Sequence, residues 1–358
     1  MRICTEHELR ALGRRLLEAA GVPADEASVV TDELVTTSLL GLDSHGIIRL
    51  AQYIRQLREG MIKPGRQPLI VRESSTTLVV DAQWNFGMVA ARFMTDAVAE
   101  RAATHHLACA VSLHAHHVGR LGSFVERLAH RGLFGIAAAN ASRQGHYVAP
   151  WGGTKGRLGT NPFAYGCPNG DAPLVFDMST CMIAEGSIRS ARHRGDALPE
   201  GCILDPEGLP SVNPDDFYRD GGGTILPFGG PWGYKGFGLG LLVELLGSAL
   251  AGAGLTPDDT PDAYINGFFI MALDPGAMCG ADLFQRRVQD LCAYLKETPT
   301  APGYESVILP GERDRATAER RRRDGVPVPD GTWDELGAAA DALGLGLDDL
   351  LNKTGEER

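Results

Sequence analysis

The chain has 358 residues, of which 44% are hydrophobic and 22% charged, and its formal net charge is -11 at pH 7. This length exceeds what a single hydrophobic core usually supports, so two domains are expected. The negative charge argues against a nucleic acid as partner, because phosphate binding depends on clustered Lys and Arg. The sequence contains no uncharged apolar run of about 18 residues, so it predicts no membrane span.

The first 60 residues have apolar side chains at helical spacing and predict three helices. The N-terminal helix is amphipathic and contains acidic residues, so it lacks the apolar stretch of a signal peptide. The seven cysteines are scattered without a CxxC spacing, which argues against a disulfide framework and a structural zinc site. We therefore expect reduced thiols and a cytoplasmic protein.

From Thr76 onwards, short β-rich runs alternate with helical patterns. The predicted strands are "TTLVVD", "ACAVSL", "FGIAAAN", "NPFAYG", "PLVFDM", "NGFFIMALDP" and "YESVILPG". The stretch "ILDPEGLPSVNPDD" has turn and loop chemistry, and the C-terminal tail returns to helices. The pattern predicts an α+β fold with a discontinuous helical domain formed by both chain ends.

The predicted boundaries follow from these changes of pattern. Residues 1–74 form the first part of the helical domain, and residues 75–230 form an α+β domain. Residues 231–262 are predicted as a helical segment that joins the helical domain. Residues 263–309 return to the α+β domain, and residues 310–358 complete the helical domain.

The stretch "LDSHGIIRL", residues 42–50, places a histidine and an arginine four residues apart. With Asp43 or Ser44 as N-cap, His45 falls in the first helical turn, where the helix dipole disfavours imidazolium. Arg49 lies one turn later on the same side and is suited to binding a carboxylate. The same polar stripe also fits a solvent-facing helix, so this stretch alone leaves both interpretations open.

A second polar stretch, "HAHHVGRLG" at 114–122, links a predicted strand to a predicted helix. Its three histidines offer imidazole nitrogens to a metal, although their spacing matches no common metal motif. Alternatively, Gly119 and Gly122 let the backbone approach a ligand while His117 points into a cleft.

No GxGxxG turn follows a strand, so a Rossmann domain is not expected. The nearest candidate, "GFGLG" at 236–240, has no strand before it. Lys235 either neutralises a phosphate or carboxylate there or is an exposed lysine on a closely packed helix. Further along the chain, polar groups that suit a ribose or an amide are found at Thr160, Asn161, Asp177 and Thr180.

Six ordered blocks between about residues 40 and 330 together resemble the malate/L-lactate dehydrogenase family of the non-Rossmann type. This family includes hydroxycarboxylate, sulfolactate and ureidoglycolate dehydrogenases, 2,3-diketo-L-gulonate reductase and Δ1-piperideine-2-carboxylate reductase. The pattern is most similar to the hydroxycarboxylate dehydrogenase branch. The blocks are "LDSHGIIRL", "HHVGRLG", "GTNPFAYGCP", "VFDMSTCMIAEG", "LPFGG" with "YKGFGLGLLVELLGSALAG", and "ILPGERDRATAERRRRDGVPV".

The resemblance implies a two-layer domain that binds NAD or NADP without a GxGxxG loop, in a homodimer with the site near the subunit interface. It implies hydride transfer between nicotinamide and a small 2-oxo or 2-hydroxy acid, with no metal. His45 would be the acid/base and Arg49 the carboxylate ligand. Ser44 would hydrogen-bond to the substrate or the imidazole, and His117 is the second candidate for proton transfer.

Cofactor contacts implied by the resemblance lie in five segments of the chain. They are Gly119, Arg120 and Leu121; Val175, Phe176, Asp177, Met178, Ser179 and Thr180; Tyr234 and Lys235; Asn266; and Gly311, Glu312, Arg313 and Asp314.

The chain departs from the family pattern at two places, which leave the substrate open. The join "GGPWGYKG" is longer than usual, and "NASRQGHYVAPWGG" carries Arg143, Gln144 and His146 where smaller apolar residues are usual. A cyclic imine reductase and a ureidoglycolate dehydrogenase are the alternatives within the family. A metal-dependent hydrolase built on the histidine cluster and a non-catalytic dinucleotide-binding protein are the alternatives outside it.

Overall fold

Helices and strands alternate along the chain in the computed structural model, which describes residues 1–142, 145–252 and 265–347. The helices are α1 (Glu6–Ala19), α2 (Ala24–Leu39), α3 (Arg49–Arg58), α4 (Gly87–His105), α5 (Gly122–His130), α6 (Glu185–Arg194), α7 (Pro214–Tyr218), α8 (Tyr234–Gly247), α9 (Gly276–Cys279), α10 (Ala281–Lys296), α11 (Glu312–Asp324) and α12 (Asp330–Asp341). The strands are β1 (Arg2–Cys4), β2 (Leu69–Glu73), β3 (Thr77–Asp81), β4 (Leu107–Leu113), β5 (Phe134–Ala139), β6 (Phe163–Cys167), β7 (Leu174–Met178), β8 (Ile203–Leu204), β9 (Pro210–Ser211), β10 (Thr224–Ile225), β11 (Phe268–Leu273) and β12 (Val326–Val328).

The central sheet has seven strands in the order β2-β3-β4-β11-β5-β6-β7. Only β3 and β4 are parallel neighbours, with α4 as their crossover, and the other neighbours in this sheet run antiparallel. A Rossmann sheet is mostly parallel, so the predicted non-Rossmann α+β class is confirmed.

Alternate residues of the central strands face two different layers, as the period of two requires. On one face, Ala110 and Ile270 pack under α4 and α5 in one apolar cluster. On the other face, Val111 and Phe269 pack against Val243 of α8. The sheet is therefore covered by helices on both sides.

Both chain ends contribute to a separate helical layer. The helices α1, α2 and α3 share one apolar core with residues of α11 and α12, and β1 pairs antiparallel with β12. The first helix begins at a capping box, in which Thr5 and Glu8 bind each other's backbone N–H groups. The helical layer is discontinuous in sequence, as the pattern indicated.

Three details differ from the predicted elements. Strand β2 lies inside the predicted helical range 1–74, because it is an exposed edge strand without a buried apolar alternation. The predicted loop around residues 203–214 contributes β8 and β9 to a small sheet in the order β10-β8-β9. The predicted strand "YESVILPG" is irregular in the structure, where Leu309 is its one buried residue.

Helix α8 corrects the prediction that residues 231–262 join the helical domain. The described part of this segment packs on β4, β5 and β11 of the sheet, and residues 253–262 lie outside the described residues. The buried stripe of α8 consists largely of glycines, so its backbone approaches the sheet closely. A Cβ on Gly247 would lie 2.9 Å from the carbonyl oxygen of Gly267. Because glycines do not contribute to an apolar pattern, nothing in the sequence indicated that this face of α8 is buried against the sheet.

One stretch of helix, Tyr234–Ala251, is long and apolar enough to cross a membrane by length and composition alone. It contains α8, which packs on the sheet through one side. That side also carries Glu244, a buried carboxylate with amide partners. These contacts are those of a helix that belongs to a folded protein domain.

Candidate active site

A polar pocket lies where the helical layer, the central sheet and the start of α6 meet. Its wall combines the N-terminal end of α3, the chain between β4 and α5, the ends of β5 and β11, and the first turn of α6. The lining residues are Ser44, His45, Arg49, Gln52, His117, Val118, Gly119, Ala139, Asn140, Ala141, Gly145, Tyr147, Thr160, Asn161, Pro162, Ala184, Glu185, Gly186 and Asn266.

The "DSHG" sequence forms a 3-10 turn, Asp43–His45, rather than the first turn of α3. Gly46 is required at this turn, because an added Cβ would lie 2.1 Å from Ser38 Oγ. That hydroxyl instead accepts the N–H of Ile47 at 2.9 Å. Arg321 of α11 holds the turn from outside through two hydrogen bonds, of 2.6 and 2.9 Å, to the carboxylate of Asp43. The prediction that Asp43 or Ser44 caps the helix containing Arg49 is therefore wrong, because α3 begins at Arg49. His45 and Arg49 nevertheless line the same pocket.

His45 lies beside a serine hydroxyl and a guanidinium. Its Nδ1 is 2.9 Å from Ser44 Oγ, and Arg49 Nε donates to the Ser44 carbonyl oxygen at 2.6 Å. Arg49 also donates through Nη1 to Gln52 Oε1 at 2.9 Å. Burial and, secondarily, the positive charge of Arg49 lower the pKa of His45 from 6.5 to about 4. The imidazole is therefore neutral at physiological pH.

His117 lies against His45, with ring centroids 5.4 Å apart and nearly parallel planes. Its Nδ1 is 2.6 Å from the hydroxyl of Tyr53, a buried residue of α3. Burial, followed by the repulsion that His45 and Arg49 would exert on a protonated ring, holds the pKa of His117 well below 6.5. The pocket thus contains two adjacent, uncharged imidazoles.

The other two histidines of the 114–117 cluster have different partners. His114 Nδ1 is 3.0 Å from Asp81 Oδ1, and its ring stacks on Trp84. His116 Nε2 is 2.7 Å from the Met61 carbonyl oxygen. The three rings therefore point to three places, and the described residues contain no group of three side chains arranged to hold a metal ion.

Three asparagines form the polar floor of the pocket, and the buried Glu244 lies behind them. Asn266 accepts the N–H of Val118 at 3.0 Å and donates to the Asn140 carbonyl oxygen at 2.7 Å. Glu244 of α8 accepts one amide hydrogen bond from Asn140 at 2.7 Å and another from Asn161 at 2.9 Å. This network fixes the pocket floor to α8 and the sheet.

We expect Glu244→Ala to lower the free energy of unfolding by roughly 2–4 kcal/mol, because two buried amides lose their shared acceptor. Urea denaturation measures the loss. Glu244→Gln is the matched control, since it retains one acceptor oxygen and should lose less stability. Equal stability of the alanine variant and the native chain would contradict this account of the network.

The first turn of α6 forms the wall opposite α3. A Cβ on Gly186 would lie 3.8 Å from Ser44 Cβ, so the two walls nearly touch there. Glu185 places a carboxylate in this wall, and the hydroxyl of Tyr218 donates to its Oε1 at 2.7 Å. Burial and this bond to Glu185 raise the pKa of Tyr218, which therefore stays protonated.

Comparison with known proteins identifies the family. The sequence profile of the malate/L-lactate dehydrogenases matches residues 4–337. The chain belongs to the malate/L-lactate dehydrogenase family. It is 33% identical to an L-lactate dehydrogenase of Cupriavidus necator over 94% of this chain and 97% of that protein. It is also 33% identical to hydroxycarboxylate dehydrogenase B of Escherichia coli over 91% and 90% of the two chains.

A solved member of the family has the same fold. The sulfolactate dehydrogenase of Methanocaldococcus jannaschii superposes with a TM-score of 0.88 at 31% identity, covering 97% of this chain and 99% of that one. The chain is therefore a hydroxyacid oxidoreductase of this dehydrogenase family, whose members generally use nicotinamide cofactors and small hydroxy or oxo acids.

Of the site residues predicted from the sequence of this dehydrogenase, the pocket unites eight. They are Ser44, His45, Arg49, His117, Gly119, Thr160, Asn161 and Asn266. Thr180 is one contact away, because its hydroxyl donates to the Asn161 carbonyl oxygen at 3.0 Å.

A second group of predicted cofactor residues, Arg120, Leu121 and Asp177, lies beside the N-terminus of α5. The Gly122 N–H donates to Asp177 Oδ2 at 2.8 Å, and burial raises the pKa of this carboxyl despite the nearby Arg120. Arg120 is itself buried and lies 3.3 Å from Glu126, and its Nε has no partner among the described residues. Leu121 is a core side chain and contributes only backbone here. The chain from His117 to Gly122 connects this group to the pocket.

Of the remaining predicted cofactor residues, Asp314 lies near enough to Asp177 for its charge to raise the pKa of that carboxyl, and the others line neither group directly. Val175 is buried in the core and its N–H donates to the Pro310 carbonyl oxygen, which places Gly311 to Asp314 beside β7. Phe176 stacks on Tyr165, and Glu312 accepts from Lys296 at 2.7 Å. The rest of the predicted cofactor residues are exposed or half-buried, namely Met178, Ser179, Tyr234, Lys235 and Arg313.

Sequence reasoning missed Tyr53, Asn140, Glu185 and Glu244 in this dehydrogenase. Tyr53 had a usable signal, since it lies one helical turn after Arg49 on the same side of α3. The other three had none, because an isolated polar residue in a helix or at a strand end is most often solvated. Arg143 and Gln144, noted as a departure from the family, lie outside the described residues.

Proposed function

We propose that this chain is an NAD(P)-dependent dehydrogenase of small 2-hydroxy acids, with Arg49 binding the substrate carboxylate and His45 transferring the proton. One observation carries the proposal: a neutral imidazole and a guanidinium lie side by side on the wall of one pocket. The first is suited to accept a proton and the second to orient a carboxylate.

The mechanism follows from these two side chains. Arg49 is held by the Ser44 carbonyl oxygen and by Gln52, so its orientation is set before a substrate arrives. A carboxylate bound to it brings the 2-hydroxyl towards His45, whose neutral ring takes the hydroxyl proton in the oxidation direction. In reduction, the protonated ring returns that proton to the 2-oxo oxygen.

The cofactor would lie between the pocket and Arg120. The Nε of this buried cation has no partner among the residues that the structure describes and is suited to donate to a phosphate, although the carboxylates of Glu126 and Asp177 already lie beside the guanidinium. Gly119 lines the pocket, and one short segment carries both Asp177, beside α5, and Thr180, one contact away from the pocket. When bound, NAD or NADP supplies the hydride acceptor or donor at its nicotinamide.

The low pKa of His45 sets an expected pH profile. A base must be deprotonated, and with a pKa of about 4 His45 is a base at every pH above that value. The kcat/KM for hydroxy-acid oxidation should therefore stay flat down to about pH 5 and fall below about pH 4. Initial rates with NAD or NADP across this range measure it. An acidic limb near 6.5, the ordinary histidine value, would contradict the assignment.

The charges of the pocket wall point to monocarboxylates. Arg49 and Glu185 are the charged side chains among its described lining residues, and the histidines are neutral. Arg49 is occupied by the substrate carboxylate, so Glu185 repels a second anionic group. We therefore propose a lactate-type rather than a malate-type acid.

A substrate panel with both cofactors tests the function. Pyruvate and neutral longer 2-oxo acids should be reduced better than oxaloacetate or sulfopyruvate. Reduction of Δ1-piperideine-2-carboxylate alone would identify an imine reductase instead. Turnover of no compound, with NADH still bound, would identify a non-catalytic dinucleotide-binding protein and refute the proposal.

We also propose that the dehydrogenase is a cytoplasmic homodimer. The free thiols of the seven cysteines support a reducing compartment. The outer face of α8 exposes Leu239, Leu241, Leu242 and Leu245, each 38–50% accessible, and monomers rarely leave such a surface uncovered. Sedimentation should give a dimer, and the double variant Leu242→Glu, Leu245→Glu a monomer. A monomeric native chain would contradict this proposal.

A further inference from the structure

The hydroxyl of Tyr53 contacts the imidazole that lines the pocket beside His45. Tyr53 is 1% exposed and its ring packs edge-on against Phe86, so the hydroxyl has little freedom to move. The backbone of His117 is fixed as well, because it passes so close to Gly87 that a Cβ there would lie 2.7 Å from the His117 carbonyl oxygen. The 2.6 Å bond between Tyr53 and His117 Nδ1 therefore joins two immobilised groups.

The direction of this bond follows from the acidities of the two partners. A phenol hydroxyl is a stronger donor than a neutral imidazole N–H, and an imidazole lone pair is a stronger acceptor than a phenol oxygen. The tyrosine hydroxyl therefore donates and Nδ1 accepts. Because burial keeps the ring neutral, its single N–H is then on Nε2.

His45 has a different Nδ1 partner. Ser44 Oγ, 2.9 Å away, is a hydroxyl that accepts as readily as it donates. His45 is thus able to place its proton on Nδ1 and keep the Nε2 lone pair for a substrate. The two rings are adjacent, yet their Nδ1 partners differ in chemistry.

We propose that Tyr53 is a positioning residue that fixes His117 as a hydrogen-bond donor through Nε2, so that His45 is the base and His117 binds the substrate 2-oxygen. This inference rests on the proposed function. In oxidation the hydroxyl proton passes to His45 Nε2 as the hydride leaves C2. The same oxygen, becoming a carbonyl, accepts the N–H of His117. A neutral imidazole is known to serve as such a donor.

Nitrogen NMR of the 15N-histidine-labelled protein tests the tautomer without any substrate. The two ring nitrogens of His117 are assigned by their loss in His117→Gln. We expect an unprotonated Nδ1 and a protonated Nε2 in the native protein, and a mixture of tautomers in Tyr53→Phe. A protonated Nδ1 in the native protein, or an unchanged spectrum in Tyr53→Phe, would overturn the proposal.

Kinetics test the division of roles. The amide of a glutamine places an N–H near the position of a histidine Nε2, but it cannot act as a base. His117→Gln should therefore retain kcat within about tenfold, with the acidic limb of the pH profile unchanged, whereas His45→Gln should lose about 10²–10⁴-fold. A loss as large in His117→Gln as in His45→Gln would show His117 to be the base.

Tyr53→Phe should lower kcat about three- to tenfold, the scale of one neutral hydrogen bond, without changing the KM for the cofactor. Tyr165→Phe, which removes a hydroxyl from a partly buried tyrosine of β6, is the matched control and should leave kcat unchanged. An unchanged kcat in Tyr53→Phe would count against the positioning role. If no acid on the panel is reduced, the proposed function fails, while the NMR result still decides the tautomer.

Discussion

Replacing His45 with alanine is expected to lower the kcat of hydroxy-acid oxidation by about 10²–10⁴-fold, the usual contribution of a general base. The physical reason is the position of the ring, neutral at physiological pH and next to the guanidinium that we propose as the ligand of the substrate carboxylate. Initial-rate measurements with saturating cofactor give the loss directly. The affinity for NADH, followed by fluorescence titration, should remain near the native value.

The fold is not at risk in this variant. His45 is half-buried in a short turn that is held by Asp43 and Arg321, not by its own ring. Circular dichroism and urea denaturation of His45→Ala should therefore match the native chain. Native turnover in a correctly folded His45→Ala would rule out the proposed proton transfer.

Replacing Arg49 with alanine is expected to lower kcat/KM for the acid by about 10²–10³-fold, because hydrogen bonds to a charged group are each worth about 1.5–3 kcal/mol. The loss should appear mainly in KM, as expected for an interaction made in both the ground state and the transition state. Arg49→Lys keeps the charge but not the planar donor pair, and should recover only part of the affinity.

A second readout separates this role from a structural one. The charge of Arg49 helps to lower the pKa of His45, so Arg49→Ala should move the acidic limb of the pH profile to higher pH. Gln52→Ala removes a partner of Arg49 without removing the charge, and should leave that limb in place. A limb that does not move in Arg49→Ala would contradict the electrostatic coupling of the two residues.

Much of the fold was predictable from local pattern. One of the helical patterns that follow Thr76 is observed as the helix Gly87–His105, which ends at a left-handed C-cap at His106. The β-rich runs from residue 76 to 178 are likewise observed as strands. What escaped prediction lacks periodicity: exposed β2, the two-residue strands β8 and β9, and the glycine face of α8.

The sequence predicted which side chains of the candidate site carry the chemistry, but not which residues they contact. The "SHG" sequence with an arginine four residues later directed attention to His45 and Arg49, and the structure places both in one pocket. The histidine cluster gave no indication that its three rings diverge. That divergence depends on Tyr53, Met61 and Asp81, which lie 33 or more residues away in the chain.

The sequence by itself determined the α+β class, the two-ended helical layer and the two histidines with their arginine, because side-chain periodicity and short motifs are local properties of the chain. Tertiary structure alone decided which residues meet: Tyr53 with His117, Glu244 with two asparagines, and Glu185 opposite Arg49. Periodicity encodes which face of an element is buried, but the packing of distant elements selects what that face contacts. The same packing lowers the pKa of His45, since burial rather than the 3-10 turn itself is the main cause.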